Sequence, residues 1–202
     1  MSPESGPPPP LIVVISGPSG AGKDSVIARI HQRGEAFATP VNLTTRAPRE
    51  GEVDGVDYRF VTTAEFQRNV EAGEMLEHAR VYADMKGVSR AELRRALATG
   101  RDVILRVDIQ GAETLRERLP GALLIFIVPD DLAHIESRMG ERGMDEADIR
   151  QRLATAKREI AAQERFDHIV ENVDGDLEGT VDRVLAIIEA ERARPGREAV
   201  EL

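Results

Sequence analysis

Residues 11–23 read LIVVISGPSGAGK: an apolar run, then Gly17, Pro18, Ser19, Gly20, Ala21, Gly22 and Lys23. A buried strand that feeds a glycine-rich loop and then a helix makes a phosphate cradle, because several backbone N–H groups converge on anionic oxygens. Glycine lets the main chain curl that tightly. Lys23 adds a point charge that reaches the β and γ phosphates. Residues 25–33 carry a helical pattern stopped by Gly34. A nucleoside triphosphate is the ligand this order selects, with its contacts expected along residues 17–25, including Ser25. Asp24 stands where a serine or threonine hydroxyl normally meets Mg²⁺, so Asp24 is the expected magnesium ligand, directly or through water.

The chain has 202 residues, long enough for one globular unit or one core carrying inserted lobes. Aromatics are 3% and tryptophan is absent, so Ile, Val, Leu and Ala must build the core. A formal charge of -9 argues against a nucleic-acid partner, since phosphate backbones select basic surfaces. Any phosphate site is therefore a local basic focus in an acidic molecule. With no cysteine there is neither a disulfide scaffold nor a thiolate metal site, and a cytoplasmic enzyme fits. Residues 1–10 are acidic and proline-rich, read as a disordered tail, and nothing in the pattern suggests a membrane partner. Of 27 basic residues only Lys23, Lys86 and Lys157 are lysine. A lysine kept against that preference marks a need for a compact, flexible ammonium.

Apolar runs recur at residues 11–15, 103–107 and 123–128, with a weaker one at 168–173, and helical patterns separate them. Runs apolar on both faces that alternate with helices predict an α/β core, a parallel sheet flanked by helices. Residues 42–61 are polar and turn-rich and predict small antiparallel strands. Thr62 with Glu65, and Ser89 with Glu92, predict two capping boxes. The expected organisation is a core of residues 11–41, 101–130 and 166–194, a lobe at 42–100, a helical lid at 131–165 with Gly140 and Gly143 as a hinge, and a flexible 195–202.

Arg46 and Arg49, three apart and stiffened by Pro48, can grip a monophosphate together with the Tyr58 hydroxyl. An RxxR pair alone is uninformative in a chain with 24 arginines. The ordered strings TTRAPREGEVDGVDYRFV (44–61), GEMLEHARVY (73–82), GRDVILRVDIQGA (100–112) and ERFDHIVEN (164–172) change that. Together they resemble guanylate kinases along residues 11–192. The resemblance implies a P-loop core, a GMP-binding lobe and a lid, with phosphate passing from ATP to GMP or dGMP.

Guanine presents an imide N–H beside an amino group, and a carboxylate, being acceptor-only, suits that donor pair. Glu77 and Asp108 match the family's guanine-reading acids; their plainer readings are an exposed charge and a helix cap. Buried acceptors of this kind reject a wrong base by roughly 10⁴. The resemblance assigns the GMP phosphate to Arg46, Arg49 and Tyr58. It assigns the lid's catalytic arginines to Arg142 and Arg152, with Arg138 a further ATP contact. Asn172 matches a residue beside the donor adenine, or is an ordinary turn asparagine.

The chain departs from the family at several positions. Asn42 replaces a usual serine at the guanine edge. Lys86 and Val88 stand where tyrosine and a hydroxyl residue are common, which predicts a cationic contact from Lys86 to the GMP phosphate. Arg106 replaces a common acid and, sharing a strand face with residue 108, points toward the phosphate loop. With Asp24 it forms an expected charge exchange that preserves neutrality around Mg²⁺. Some bacterial and organellar guanylate kinases resemble this chain in the GKD loop. Two other readings are a ribose 1,5-bisphosphate kinase and a non-catalytic guanylate kinase-like binding module; the first has no reason to keep the Glu77 segment, and the second typically loses the glycine-rich loop.

Overall fold

The computed structural model describes residues 9–81, 83–133 and 145–202. Its central sheet runs β6-β1-β7-β8, where β1 is Ile12–Ser16, β6 Val103–Arg106, β7 Leu123–Pro129 and β8 His168–Asn172. Every pairing in it is parallel. The apolar runs fit a sheet of this kind: Leu11, Val13 and Ile15 face one hydrophobic cluster, while Ile12 and Val14 face another. A strand apolar on both sides needs cover on both faces.

Helices α1 (Lys23–Gln32) and α6 (Leu177–Arg192) cover the first face through Val26, Ile30, Val181, Val184 and Ile188. On the other face lies α4 (Ile109–Arg118), with Ala112 and Leu115 in the core. The end of α6 is stitched to the start of β1 through Asp102, which accepts from Leu11 N at 2.7 Å and from Arg192 Nε at 2.5 Å.

A second sheet, β3-β2-β5-β4, is built from β2 (Leu43–Thr44), β3 (Arg59–Phe60), β4 (Met75–Val81) and β5 (Asp84–Ser89). The antiparallel expectation for residues 42–61 needs correction. β2 and β3 pair in parallel, Leu43 opposite Arg59, and β5 supplies the antiparallel neighbour. The cause is the intervening loop, in which Asp57 caps Val53 N and Asp54 binds Phe60 N, returning the chain in its original direction.

Helix α2 (Thr63–Glu71) carries both halves of its capping box, a device that contributes about 1 kcal/mol. Phe66 of α2 joins Leu43 and Met75 in a small core of its own. Helix α3 (Arg90–Leu97) corrects the second box: Ser89 accepts from Glu92 N, but the buried Glu92 carboxylate pairs with Arg95 and Arg59 instead. Leu76, Val88, Leu93 and Ala96 pack into the main core, so β4, β5 and α3 are continuous with it.

Helix α5 (Glu146–Ile160) follows in the second insertion, where Ile149 and Ala156 pack with Leu132 and Leu153. Gly140 and Gly143 lie outside the described residues. Among those residues, no helix is long and apolar enough to cross a membrane.

Candidate active site

In an open α/β sheet, ligands bind outside the carboxyl ends of the strands. That edge here gathers the loop after β1, Arg106 at the end of β6 and Asn172 at the end of β8. Gly22 is the N-cap of α1 at φ 89°, and a Cβ there would sit 2.3 Å from Asn172 Nδ2. Glycine is therefore required twice over, by the left-handed backbone and by the neighbour. Asn172 is buried and donates to Ala21 O at 2.8 Å. It braces the loop from beneath.

Lys23 Nζ donates to Gly17 O at 2.5 Å and Pro18 O at 2.8 Å, closing the loop around itself. Burial first, and the nearby Arg106 charge second, lower its pKa to about 8 against the opposing pull of Asp24. Arg106 and Asp24 meet as the sequence suggests, Nε to Oδ1 at 2.6 Å and Nη2 to Oδ2 at 3.0 Å. Their side chains are 47% and 74% exposed. An exposed pair adds about 0–1 kcal/mol of stability, so its consequence is local charge rather than folding. The shared-face expectation for residues 106 and 108 is corrected: β6 ends at Arg106, and Asp108 is the N-cap of α4.

The second sheet builds a cationic cluster. Thr44 of β2 lies opposite both Phe60 and Lys86, which places β3 and β5 on either side of it. Lys86 Nζ reaches Tyr58 Oη at 3.1 Å and lies 4.9 Å from its ring centroid. Arg46 Cζ lies 4.9 Å from the same centroid. The Lys86 ammonium lowers the Tyr58 pKa. Arg49 is exposed at the rim of this loop, and Asn42 is half-buried just before β2.

Glu77 stands opposite Val88 in the β4–β5 pairing. Asp108 caps α4, its Oδ1 accepting from Gly111 N at 2.8 Å. Both readings of Asp108 are thus compatible, since one oxygen caps the helix and the carboxylate has a second. A Cβ on Gly111 would lie 3.0 Å from Glu77 Cγ and 3.3 Å from Asp108 Oδ1, so glycine makes the space where the two acids approach. Arg118 at the far end of α4 donates to the carbonyls of Met75 and Leu76 and holds β4 in place. Burial first, and the Asp108 charge second, raise the Glu77 pKa to about 7.

The fold therefore brings together Lys23, Asp24, Arg106 and Asn172 on one edge, Arg46, Tyr58 and Lys86 in one cluster, and Glu77 with Asp108 across Gly111. Arg138 and Arg142 lie outside the described residues, and Arg152 lies on α5. Three participants escaped the sequence reading. Glu52 chelates Arg46, Gly111 separates the acids, and Glu159 of α5 accepts from the phosphate-loop amide of Ser19 at 3.2 Å. The i,i+6 spacing of Arg46 and Glu52 across a loop has no periodic signal, whereas Gly111 could have been suspected from its place one turn after Asp108.

A parallel sheet with a Gly–Lys loop on its carboxyl edge, joined to a second sheet bearing cations and acids, defines a P-loop nucleotide-binding protein. A family model described as guanylate kinase matches residues 10–191. Guanylate kinase 2, chloroplastic/mitochondrial, of Oryza sativa subsp. japonica is 45% identical over 198 residues, 97% of this chain and 70% of that protein. Guanylate kinase of Alkalilimnicola ehrlichii is 40% identical over 191 residues, covering 94% of this chain and 93% of its own. The crystal structure of guanylate kinase from Anaplasma phagocytophilum superposes with a TM-score of 0.70 at 32% identity, over 94% of this chain and 90% of that one. The chain belongs to the guanylate kinase family.

Proposed function

We infer that this protein is an ATP:GMP phosphotransferase that also accepts dGMP and works in the cytosol. An oxygen of the GMP phosphate attacks the γ-phosphorus of ATP, and the bond from that phosphorus to the β–γ bridging oxygen breaks, giving GDP and ADP. Little proton transfer is needed. The barrier comes from bringing two anions into line, so positioning and charge neutralisation carry the catalysis.

In this reading the loop amides of residues 17–25 and Lys23 hold the donor phosphates, with Asn172 keeping the loop in shape. Arg46, Arg49, Tyr58 and Lys86 hold the acceptor phosphate. Glu77 and Asp108 accept from guanine, and Asn42 donates to its carbonyl. Arg138, Arg142 and Arg152 are assigned by the family resemblance alone, as the source of positive charge for the transferred group.

The observation that carries the reading is the Glu77–Asp108 pair around Gly111, an acceptor-rich site suited to guanine and to no other common base. The test is a coupled ADP-release assay with ATP plus GMP, dGMP, AMP, CMP, UMP or ribose 1,5-bisphosphate. Turnover with GMP and dGMP alone is expected; ribose 1,5-bisphosphate as the preferred acceptor, or no turnover at all, overturns it.

Magnesium fits the donor set. It is a hard cation that takes one or two carboxylates together with substrate phosphates and keeps several waters. Asp24 offers an exposed carboxylate beside the loop, and no group of three or more acidic, histidine or cysteine ligands occurs among the described residues. When bound, the ion neutralises charge on the β and γ phosphates. Arg106 competes for the same carboxylate, so the two side chains work as a pair. Asp24→Ser and Arg106→Asp are each expected to lose activity, and the double variant to recover part of it, with a coupling of roughly 1 kcal/mol or more. Strictly additive losses in kcat/KM would refute the pairing.

Lys86→Met removes an ammonium that a phosphate would meet in a charge-assisted bond. The KM for GMP is expected to rise about tenfold or more, with the KM for ATP unchanged. An unchanged KM for GMP would take Lys86 out of the acceptor site.

A further inference from the structure

Arg46 has little freedom in this structure. Its Nη1 donates to Ala47 O at 2.9 Å and to Glu52 Oε2 at 2.7 Å, and its Nη2 donates to Glu52 Oε1 at 2.5 Å. A guanidinium has five N–H groups in a fixed plane. Three are spent, two at its outer end on Glu52 and the third on Ala47 O. The two left, Nε–H and one hydrogen of Nη2, lie side by side on the other edge, the spacing that two oxygens of one phosphate accept.

The plane is held as well as the edge. Arg46 Cζ lies 4.9 Å from the Tyr58 ring centroid and 5.7 Å from that of Phe60. Glu52 also shapes the turn before it: its Oε2 accepts from Arg49 N at 2.8 Å, while its own N–H donates to Arg49 O at 3.1 Å. One carboxylate thus fixes the direction of Arg46 and the backbone that presents Arg49. Both members of the pair are only about a fifth exposed, at 20% and 19%.

We propose that Glu52 is the positioning residue of the acceptor-phosphate site, holding Arg46 end-on so that its side edge is ready for the monophosphate of the nucleotide. This rests on the acceptor reading given above. Glu52 does not touch the substrate and acts through Arg46 and Arg49. Arg46 hydrogen bonding keeps the Glu52 carboxyl ionised down to about pH 2, so the clamp is closed throughout the range in which the enzyme would be assayed.

Calorimetry with GMP and with guanosine, which lacks the phosphate, separates this role from a general structural one. For Glu52→Gln, GMP is expected to bind about tenfold more weakly and guanosine to bind as to wild type. The KM for GMP should rise in step while the KM for ATP stays put. Glu52→Asp, shorter but still charged, should fall between. Glu52→Gln binding GMP as tightly as wild type, or losing guanosine in the same proportion, would overturn the proposal. A wild-type protein that binds ATP but neither GMP nor guanosine would remove the acceptor reading, and the proposal with it.

Discussion

Replacing Glu77 with glutamine is expected to lower kcat/KM for GMP on the order of 10³-fold while leaving the KM for ATP nearly unchanged. In the proposed site two guanine donors would face a carboxylate that can accept both. An amide offers one acceptor and turns a donor toward a donor. A hydrogen bond to a charged acceptor is worth roughly 1.5–3 kcal/mol, so losing one, adding a donor–donor clash in its place and removing the charge from the other together reach that factor. Volume is conserved, so packing beside Gly111 is not disturbed.

The pH dependence gives a second check. Burial and Asp108 raise the Glu77 pKa to about 7 in the free protein, so the carboxylate form that the proposed guanine contact requires is depleted below pH 7. Wild-type kcat/KM for GMP should therefore climb as pH rises through about 7 and level off above it. A phosphate monoester also loses its second proton near pH 6. The glutamine variant keeps that ionisation, so comparing the two profiles isolates Glu77. Identical profiles would remove Glu77 from base recognition.

Lys23→Met is expected to reduce kcat by about 10³, the cost of deleting a preorganised charge aimed at a reacting phosphate. Lys23→Arg should rescue little of it. The ammonium fits between Gly17 O and Pro18 O at 2.5 and 2.8 Å, a space for a compact head group and not a planar fork. Burial leaves the free lysine with a pKa near 8, so kcat/KM for ATP should fall as pH rises above 8 and the ammonium is lost. Once bound, the donor phosphates pull that pKa upward, and kcat should hold to higher pH than kcat/KM. Substantial turnover by Lys23→Met would mean that the loop amides alone hold the donor.

Part of this was legible in linear order. Local rules covered the parallel core, the phosphate loop and the Thr62–Glu65 cap, because a strand apolar on both faces, a glycine-rich turn and a capping box depend on near neighbours. The direction of β3 was not legible, since side-chain alternation reports which face a residue takes and carries no sign for strand polarity. Glu92 illustrates the same limit. Its spacing from Ser89 promised a reciprocal cap, yet Arg59, 33 positions earlier in the numbering, and Arg95 took the carboxylate instead.

By itself the sequence determined the chemistry on offer: a phosphate cradle, a lysine kept at position 86 and acids at positions 77 and 108. Only the tertiary structure decided how those groups act on one another. Glu77 was brought to Asp108 across Gly111, and Arg46 was aimed by Glu52. The physical reason is range: backbone conformation follows residues a few positions apart, whereas desolvation and charge depend on whatever the chain places within a few ångströms, and that is a property of packing.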